Sequence, residues 1–555
     1  MIYIIFAWTL WFLLCFNLGF FVLRKIFRED HKKIDFFYNF WFGLFCLIVI
    51  LQFVSLFYPL NKNTLTGIIV SNVLLLAINL KGIRISVKPI LKNFYQSIDV
   101  RKVLLLGFLA MFIALLANLP VTWYDTLLYH LNSVKWLADY GTIRGLANLH
   151  FPLGYNNDTF ILAAIMDKGI FANSSSHIMN SFLFAAFSFQ VISFLFKKQK
   201  NKLAYLFAFF SLLILSTFAG QLNSLSTDLS LAVFFLLFNF YVIKLDKENT
   251  ALAIPVLILA AASKFSSFVV LALFSAFVLI ELREKILLRK NIYILLASFL
   301  FFAGFIIRNL IMSGWAFYPL NLFGFNFPWQ VPPAQIKVIN DGLTAWSRSP
   351  GPNYMNSLKL GFWGWFVPWF NSNKTNFLMF YSFMITPLLF VHFFLRNELK
   401  RQFESMGGIL KIDFLIFVNL ATLVYAFITA PDLRYMAIYI LVAGSLVLSS
   451  LLIDVVKSNY AYLVMILIFV FLISANLYKE IDFGGKKFNI QKEESSPVQA
   501  VLMKYPDQSF SVLVPVNDDR CGNSELPCAP YAYGFKMFQP GNVKAGFYSS
   551  LEVSK

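Results

Sequence analysis

Long apolar runs separated by short polar segments make up most of this chain. A helix needs about 17 to 25 apolar residues to cross the hydrocarbon core of a bilayer. The pattern therefore predicts an all-α polytopic membrane protein with about 14 transmembrane helices. The predicted spans are Ile2–Leu23, Phe36–Leu60, Leu65–Leu80, Val103–Leu119, His177–Phe196, Leu203–Gly220, Leu229–Ile243, Ala251–Ala262, Phe268–Leu282, Ile292–Ile311, Phe377–Leu395, Phe414–Ala430, Met436–Ile453 and Tyr460–Leu477.

The short basic segments orient the chain in the membrane. RKIFREDHKK follows the first span, KKQKNK the fifth and RNELKRQ the eleventh. Because cytoplasmic loops carry an excess of Lys and Arg, we expect these segments inside and both termini outside. Three regions follow: N-terminal transmembrane helices (1–102), a transmembrane core (103–477) with outer loops at 120–176 and 312–375, and a small outer C-terminal domain or tail (478–555). We expect interfacial helices in the outer loops.

The composition fits a membrane protein and excludes two other classes. Hydrophobic residues make up 59% of the chain and charged residues 13%, which is far from the balance of a soluble domain. Lys and Arg number 46 against 28 Asp and Glu, but they lie in clusters between apolar runs. That distribution is typical of cytoplasmic loops, so we expect membrane lipid and no nucleic acid as a partner.

The first long outer loop is unusually rich in ionisable and aromatic residues. Its sequence is LPVTWYDTLLYHLNSVKWLADYGTIRGLANLHFPLGYNND. Apolar residues recur every three or four positions from Thr126 to Tyr140, which predicts an amphipathic helix along the membrane surface. Asp125 precedes this helix at its expected N-cap, so it is either a capping residue or part of a functional site.

Further polar residues lie at the predicted outer ends of spans, far apart in the chain. They are Asp228 in STD, Lys264 in SKFSS, Arg308 in RNL and Arg434 in PDLRY. An ion transporter is expected to place ionisable groups near the bilayer midplane, where this sequence has almost none. A site at the outer interface favours an enzyme that meets a lipid-borne substrate there.

The C-terminal tail carries two of the four cysteines, Cys521 and Cys528, in DDRCGNSELPCAP. An outer location permits a disulfide, so we favour a Cys521–Cys528 bond over free thiols. The preceding stretch VQAVLMKYPDQSFSVLVPV suggests a helix followed by a strand.

Several segments resemble a known class of enzymes. WYDTLLYHLNSVKWLADYGTIRGLANLHFPLGYNN, RNLIMSGWAFYPL and APDLRY are similar to segments of a bacterial branch of large multi-span proteins with features of the GT-C class of integral-membrane glycosyltransferases. An Asp that opens the first outer loop, a second acidic turn and a later large loop also resemble this class, which includes the protein O-mannosyltransferases and the lipid A aminoarabinose transferase. The resemblance extends from about Val103 to Ile453.

The resemblance implies transfer of a sugar from a polyprenyl-phosphate-linked donor to a glycan, lipid or protein acceptor at the outer face of a bacterial inner membrane. Asp125 matches the general base. Asp228 matches a second acidic position, with a helix N-cap as its alternative role. The lipid phosphate requires fixed cations, although a basic residue at a span end also reaches lipid headgroups without a catalytic role. The candidate phosphate-binding residues are His130, Lys135, Arg144, Lys264, Arg308 and Arg434.

No cofactor is expected, and a divalent metal ion is disfavoured because only Asp125 and Asp228 look like available hard ligands. Two other functions stay open. A lipid-linked oligosaccharide flippase fits the number of spans, and an O-antigen-type polymerase or ligase fits the long outer loop and the arginines. A purely structural scaffold leaves the polar loop unexplained.

Overall fold

The computed structural model describes residues 1–26, 36–96, 100–196, 201–244, 251–281, 289–373, 409–452, 468–474, 500–504, 511–531 and 534–550, and most of them are helical. The helices of the first half are α1 (Ile2–Phe21), α2 (Phe36–Phe57), α3 (Lys62–Gln96), α4 (Val100–Ala117), α5 (Leu131–Asp139), α6 (Leu146–Leu149), α7 (Asp158–Met166), α8 (Ser175–Leu195), α9 (Lys202–Ser216) and α10 (Thr227–Lys244). Those that follow are α11 (Ile254–Ser263), α12 (Phe268–Glu281), α13 (Arg289–Ser313), α14 (Pro333–Arg348), α15 (Phe362–Asn373), α16 (Ile409–Thr429) and α17 (Leu433–Leu451).

Eight of the described helical segments are long and apolar enough to cross a membrane. They are Ile2–Arg24, Phe36–Phe57, Lys62–Ile83, Ser175–Leu195, Thr227–Lys244, Asn291–Ser313, Ile412–Thr429 and Leu433–Leu451. Four more predicted spans form shorter apolar helices: Lys102–Ala117, Lys202–Ser216, Ala251–Ser263 and Phe265–Leu279. The predicted span Phe377–Leu395 lies outside the described residues, as does most of Tyr460–Leu477, of which 468–474 is helical. The chain is therefore a helical membrane protein.

The lipid-facing surface of this protein is visible on α3. Only 11% of its membrane-span window is buried inside the protein, although the helix is strongly apolar. A soluble protein rarely exposes an apolar face of this size, whereas acyl chains cover one without cost. The exposed large apolar side chains on α3 include Val70, Val73, Leu74, Leu76, Ile78 and Leu80.

Helices α1 and α2 cross with their backbones in direct contact. A Cβ atom on Gly19 would lie 1.9 Å from the carbonyl oxygen of Asn39, and one on Gly43 would lie 1.7 Å from that of Cys15. Only glycine permits this approach, as at other interfaces of membrane helices where small residues bring backbones together.

The N-terminal helices share one apolar core with the later helices. Trp41 on α2 donates its indole N–H to Gln190 on α8 at 2.6 Å, and the Gln190 amide donates to the Tyr241 hydroxyl on α10 at 2.9 Å. Buried polar groups in such a core need partners, and this chain of hydrogen bonds supplies them. Helices α1 and α2 thus pack against the core helices and do not form a separate unit.

The second outer loop is folded, as its length and its Pro, Gly and Trp content predict. It contains α14, a 3₁₀ turn over Tyr354–Lys359, and α15. The Trp369 indole N–H on α15 donates to the carbonyl of Pro431 at 2.7 Å. This bond places α15 against the residues that lead into α17.

The described part of the tail forms two small antiparallel sheets. Strand β1 (Ala500–Lys504) pairs with β2 (Ser511–Pro515), with Ala500 opposite Pro515; β3 (Phe535–Met537) pairs with β4 (Phe547–Ser549). A helix was expected in VQAVLMKY. The structure describes Ala500–Lys504 of this stretch as a strand, so the expectation is wrong for these residues. The run AVLMK has no strong preference of its own, and pairing with β2 decides its conformation.

A disulfide joins Cys521 to Cys528, as predicted. The loop that it closes lies against α5. Lys135 donates its ammonium protons to the carbonyls of Asn523 (2.9 Å) and Ser524 (2.7 Å), and the Asn132 amide donates to the Cys528 carbonyl at 2.9 Å. The polar face of the predicted amphipathic helix therefore contacts the tail.

Replacement of Lys135 should loosen this loop. Lys135→Met removes two charge-assisted hydrogen bonds, so we expect the amides of Gly522–Cys528 to exchange with solvent about tenfold faster in hydrogen-exchange mass spectrometry. Lys359→Met, at an exposed position of the second outer loop, is the control and should exchange like wild type. Unchanged exchange in Lys135→Met would show that these bonds do not hold the loop.

Candidate functional site

Asp125 lies at the start of an irregular helical segment. Residues Thr126–His130 form a single π-helical turn, and α5 continues from it. The Asp125 side chain makes no capping hydrogen bond to the backbone, so the capping role considered for it is absent. Such π turns are frequent at functional sites because the inserted residue changes the direction of the side chains around it.

The Asp125 carboxylate pairs with a cation from a distant part of the chain. Its Oδ2 lies 3.1 Å from Nη1 of Arg434, in the first turn of α17. The Nε of Arg434 also lies 3.4 Å from Oδ2 of Asp432, whose Oδ1 accepts a hydrogen bond from the Arg434 backbone N–H at 2.9 Å. Arg434 therefore bridges a capping carboxylate and the carboxylate of the first outer loop. The Asp125 side chain is 31% exposed and that of Arg434 is 40% exposed, so a substrate can reach both.

A second pair lies beside the first and is less exposed. Asp228 occupies the second position of α10, and its carboxylate accepts a hydrogen bond from Lys264, in the turn between α11 and α12. The side chains are only 9% and 16% exposed. The Lys264 ammonium also lies 4.0 Å from the ring centroid of Tyr435, the residue after Arg434, in a cation–π contact. We name the five charged residues Asp125, Asp228, Lys264, Asp432 and Arg434 the charge cluster.

The charge cluster shifts the protonation of Asp125. Burial raises the pKa of the Asp125 carboxyl above its ordinary value, and the charge of Arg434 opposes this rise. Asp228 raises the pKa further because two carboxylates repel each other, and Lys264 lowers it. Asp125 thus binds a proton more readily than an exposed aspartate.

Aromatic residues form one side of the charge cluster. Tyr129 and Tyr155 are in edge contact, and burial raises the pKa of both hydroxyls, with Asp125 raising each further. The Tyr155 hydroxyl is buried and has no hydrogen-bond partner among the described residues. His130 is buried beside Thr126, and burial, with help from Arg434 and Lys264, lowers its pKa to about 3. His130 is therefore neutral near pH 7, and its role as a phosphate-binding residue stays a prediction.

Three other candidate residues lie apart from the charge cluster. Arg308 on α13 is fully buried and donates to Oδ1 of Asn156 and, at 3.3 Å, to the Thr142 hydroxyl. Lys135 holds the disulfide loop, and Arg144 lies over the ring of Trp329, 5.7 Å from its centroid. The structure gives each of these residues a partner other than Asp125 or Arg434.

The sequence reasoning did not single out the tyrosines around the charge cluster. Tyr435 stands next to Arg434 in PDLRY, and Tyr155 belongs to the polar end of the first outer loop, LGYNND. The position of Tyr435 next to Arg434 and that of Tyr155 in a polar stretch were the available signals. Because tyrosine is also common at the lipid interface of membrane proteins, the sequence alone did not distinguish these tyrosines from interfacial ones.

The described residues contain no group of three or more His, Cys, Asp or Glu side chains placed to hold a metal ion. The carboxylates of Asp125, Asp228 and Asp432 each face Arg434 or Lys264.

A comparison with models of protein families finds a match that covers most of the chain. A family model described as a domain of unknown function, DUF8201, matches residues 1–441. The chain belongs to this family. The DUF8201 match includes all five residues of the charge cluster and the first three helices, and it ends before the tail. Comparisons with curated proteins and with solved structures found no significant match.

Removal of one member of the less exposed pair should destabilise the protein. Lys264→Met leaves Asp228 as an uncompensated, largely buried charge, and we expect a loss of about 3 kcal/mol in the free energy of unfolding. The double variant Lys264→Met/Asp228→Asn should recover most of this loss because no charge is left unpaired. Thermal unfolding in detergent micelles measures the difference, with the exposed Lys337→Met as control. Equal melting temperatures for all four proteins would refute the pairing.

Proposed function

We propose that this protein is a GT-C-type membrane glycosyltransferase. It transfers a sugar from a polyprenyl-phosphate-linked donor to an acceptor hydroxyl at the outer face of a bacterial inner membrane. The observation that carries the proposal is the charge cluster, in which carboxylates and cations from the first outer loop, α10, the α11–α12 turn and α17 converge.

Asp125 has the properties of the general base in this reaction. It is partly exposed, and its raised pKa moves its proton affinity toward that of a useful base. The acceptor hydroxyl loses its proton to Asp125 as its oxygen forms a bond to the anomeric carbon of the donor sugar. The bond between that carbon and the phosphate oxygen breaks, and the electron pair leaves with the lipid phosphate. A single displacement of this kind inverts the anomeric configuration.

Arg434 is the cation best placed for the leaving phosphate, because its side chain is the more exposed of the two in the charge cluster. A phosphate at Arg434 would compete with Asp125 for the guanidinium group. Its negative charge would raise the proton affinity of Asp125 further, which is the direction that a general base requires. Donor binding and activation of the base would thereby be coupled through one side chain.

Lys264 and Asp228 have a supporting role in this proposal. Lys264 pairs with Asp228 in a largely buried position and adds positive charge beside Arg434, and both residues contribute to the field at Asp125. Fixed charges of this kind stabilise a transition state without reorganising during the reaction.

The position of the charge cluster favours an enzyme over a transporter. Its residues lie at the start of α10, in the turn after α11 and at the start of α17, all of which are helix ends. A transport path is expected to place ionisable groups near the middle of the spanning helices. In the proposed topology these helix ends lie at the outer membrane surface, where a lipid-linked donor presents its sugar.

Loss of the Asp125 carboxylate should abolish transfer. Asp125→Asn keeps the size of the side chain but removes the base, so we expect activity to fall by about 10² to 10⁴-fold. A deletion strain of the source organism is complemented with wild type, Asp125→Asn or Asp139→Asn at equal membrane abundance, and its surface glycans are analysed by mass spectrometry. Asp139 is exposed on α5 and should be dispensable. Full restoration by Asp125→Asn would leave Asp125 without a catalytic role.

The pH dependence of transfer should report the Asp125 environment. Because a general base must be deprotonated, the rate should fall on the acid side as Asp125 takes up a proton, at a pH above the ordinary pKa of aspartate. Arg434→Gln removes the charge that lowers the Asp125 pKa, so its acid limb should move to higher pH. Transfer rates in membrane vesicles from pH 4 to 8 measure the limb, with Lys337→Gln as control. An acid limb that stays in place in Arg434→Gln would contradict the coupling.

A further inference from the structure

A cavity lies away from the charge cluster, where three distant segments meet. They are the first outer loop with Arg144, the second outer loop with Trp329, and the tail from Phe538 to Ala545. The cavity has a volume of about 390 Å³, which is within the usual range for small-molecule sites. The residues of the cavity that matter here are Arg144, Trp329, Phe538, Gln539, Asn542 and Lys544.

The walls of this cavity are held by backbone contacts. The Phe547 N–H donates to the Arg144 carbonyl at 2.9 Å, which ties the tail to the first outer loop. At Gly145, with φ of +63°, a Cβ atom would lie 1.9 Å from the Phe547 carbonyl oxygen and 2.9 Å from Cβ of Trp329. Only glycine allows the three segments to meet this closely.

The aromatic side of the cavity is equally fixed. The Trp329 indole N–H donates to the Leu310 carbonyl at 2.9 Å, and its ring stacks on Phe327 with centroids 4.6 Å apart. The Asn148 amide donates to the Trp329 carbonyl at 2.8 Å. A binding surface of this kind loses little side-chain freedom when a ligand arrives.

The charges of the cavity have one sign. Arg144 and Lys544 both line it, no carboxylate does, and no ion pair joins either cation to an acid in the described ranges. Both side chains belong to exposed residues. The two cations therefore favour an anionic ligand, and Arg144 offers the planar donor group that suits a carboxylate or a phosphate.

The remaining groups favour a sugar over a simple anion. Trp329 and Phe538 present apolar surface, and the amides of Gln539 and Asn542 are oriented by a 2.8 Å hydrogen bond between them. Sugar rings have apolar C–H faces and hydroxyl edges, which match aromatic rings and amides respectively. We infer that this cavity binds a saccharide carrying a carboxylate or phosphate group, of about the size of a disaccharide.

Isothermal titration calorimetry on the full-length protein in nanodiscs of zwitterionic lipid tests the inference. The probes are digalacturonate, trehalose 6-phosphate, the neutral disaccharide cellobiose and inorganic phosphate. We expect at least one acidic disaccharide to bind about tenfold or more tightly than cellobiose and inorganic phosphate, and to bind more weakly as salt is added. Whichever acidic disaccharide binds identifies the anionic group.

Variants of the two cations locate the binding. Lys544→Glu should weaken binding of the acidic disaccharide by about tenfold or more, and Arg144→Gln should act in the same direction. Lys359→Glu, an equal charge reversal at an exposed position outside the cavity, should bind like wild type. Lys544 is exposed, so its variant should fold, and thermal unfolding checks this.

The inference would be overturned by equal binding of cellobiose, by equal binding of inorganic phosphate, or by wild-type affinity in Lys544→Glu. Absence of binding by both acidic disaccharides would overturn it as well. Calorimetry detects the ligand without any transfer reaction, so the result is independent of the glycosyltransferase proposal.

Discussion

The charge cluster imposes the main physical constraint on this structure. Ionised groups taken partly out of water are costly unless each meets a partner of opposite charge. Asp228 and Lys264 are 9% and 16% exposed and meet this requirement only in each other's presence. The start of α10 and the end of α11 therefore have to come together, and the Asp125–Arg434 pair joins the first outer loop to α17 in the same way. The apolar helices supply most of the buried surface, but these charges select how the helix ends are arranged.

The two ion pairs of the charge cluster, Asp228–Lys264 and Asp125–Arg434, differ in solvent exposure and therefore in chemistry. The less exposed pair sets the electrostatic field, whereas Asp125 and Arg434 remain open to a ligand. The π turn after Asp125 and the buried tyrosines next to it belong to this second environment. A carboxylate that combines access with raised proton affinity is suited to accept a proton, and this combination supports the proposed transferase more directly than any single residue.

The tail packs against the first outer loop although the family match ends before the tail. Its disulfide loop contacts α5, and the Gly522 N–H donates to the Leu127 carbonyl at 2.7 Å, within the π turn that follows Asp125. The segment that connects β3 to β4 forms one wall of the cavity at Arg144. The tail thus packs on both halves of the first outer loop, so it stabilises the segment that carries Asp125 and also completes a separate cavity.

The sequence by itself determined the helical membrane class, most of the described helix positions and the polar residues at helix ends, because these depend on local hydrophobicity and length. The tertiary structure decided which polar residues meet. Arg434 reaches Asp125 across 309 positions, whereas Arg308, Lys135 and Arg144 find other partners. It also made Ala500–Lys504 a strand, through pairing with β2. Such outcomes depend on contacts between segments far apart in the chain, and local periodicity carries no information about those contacts.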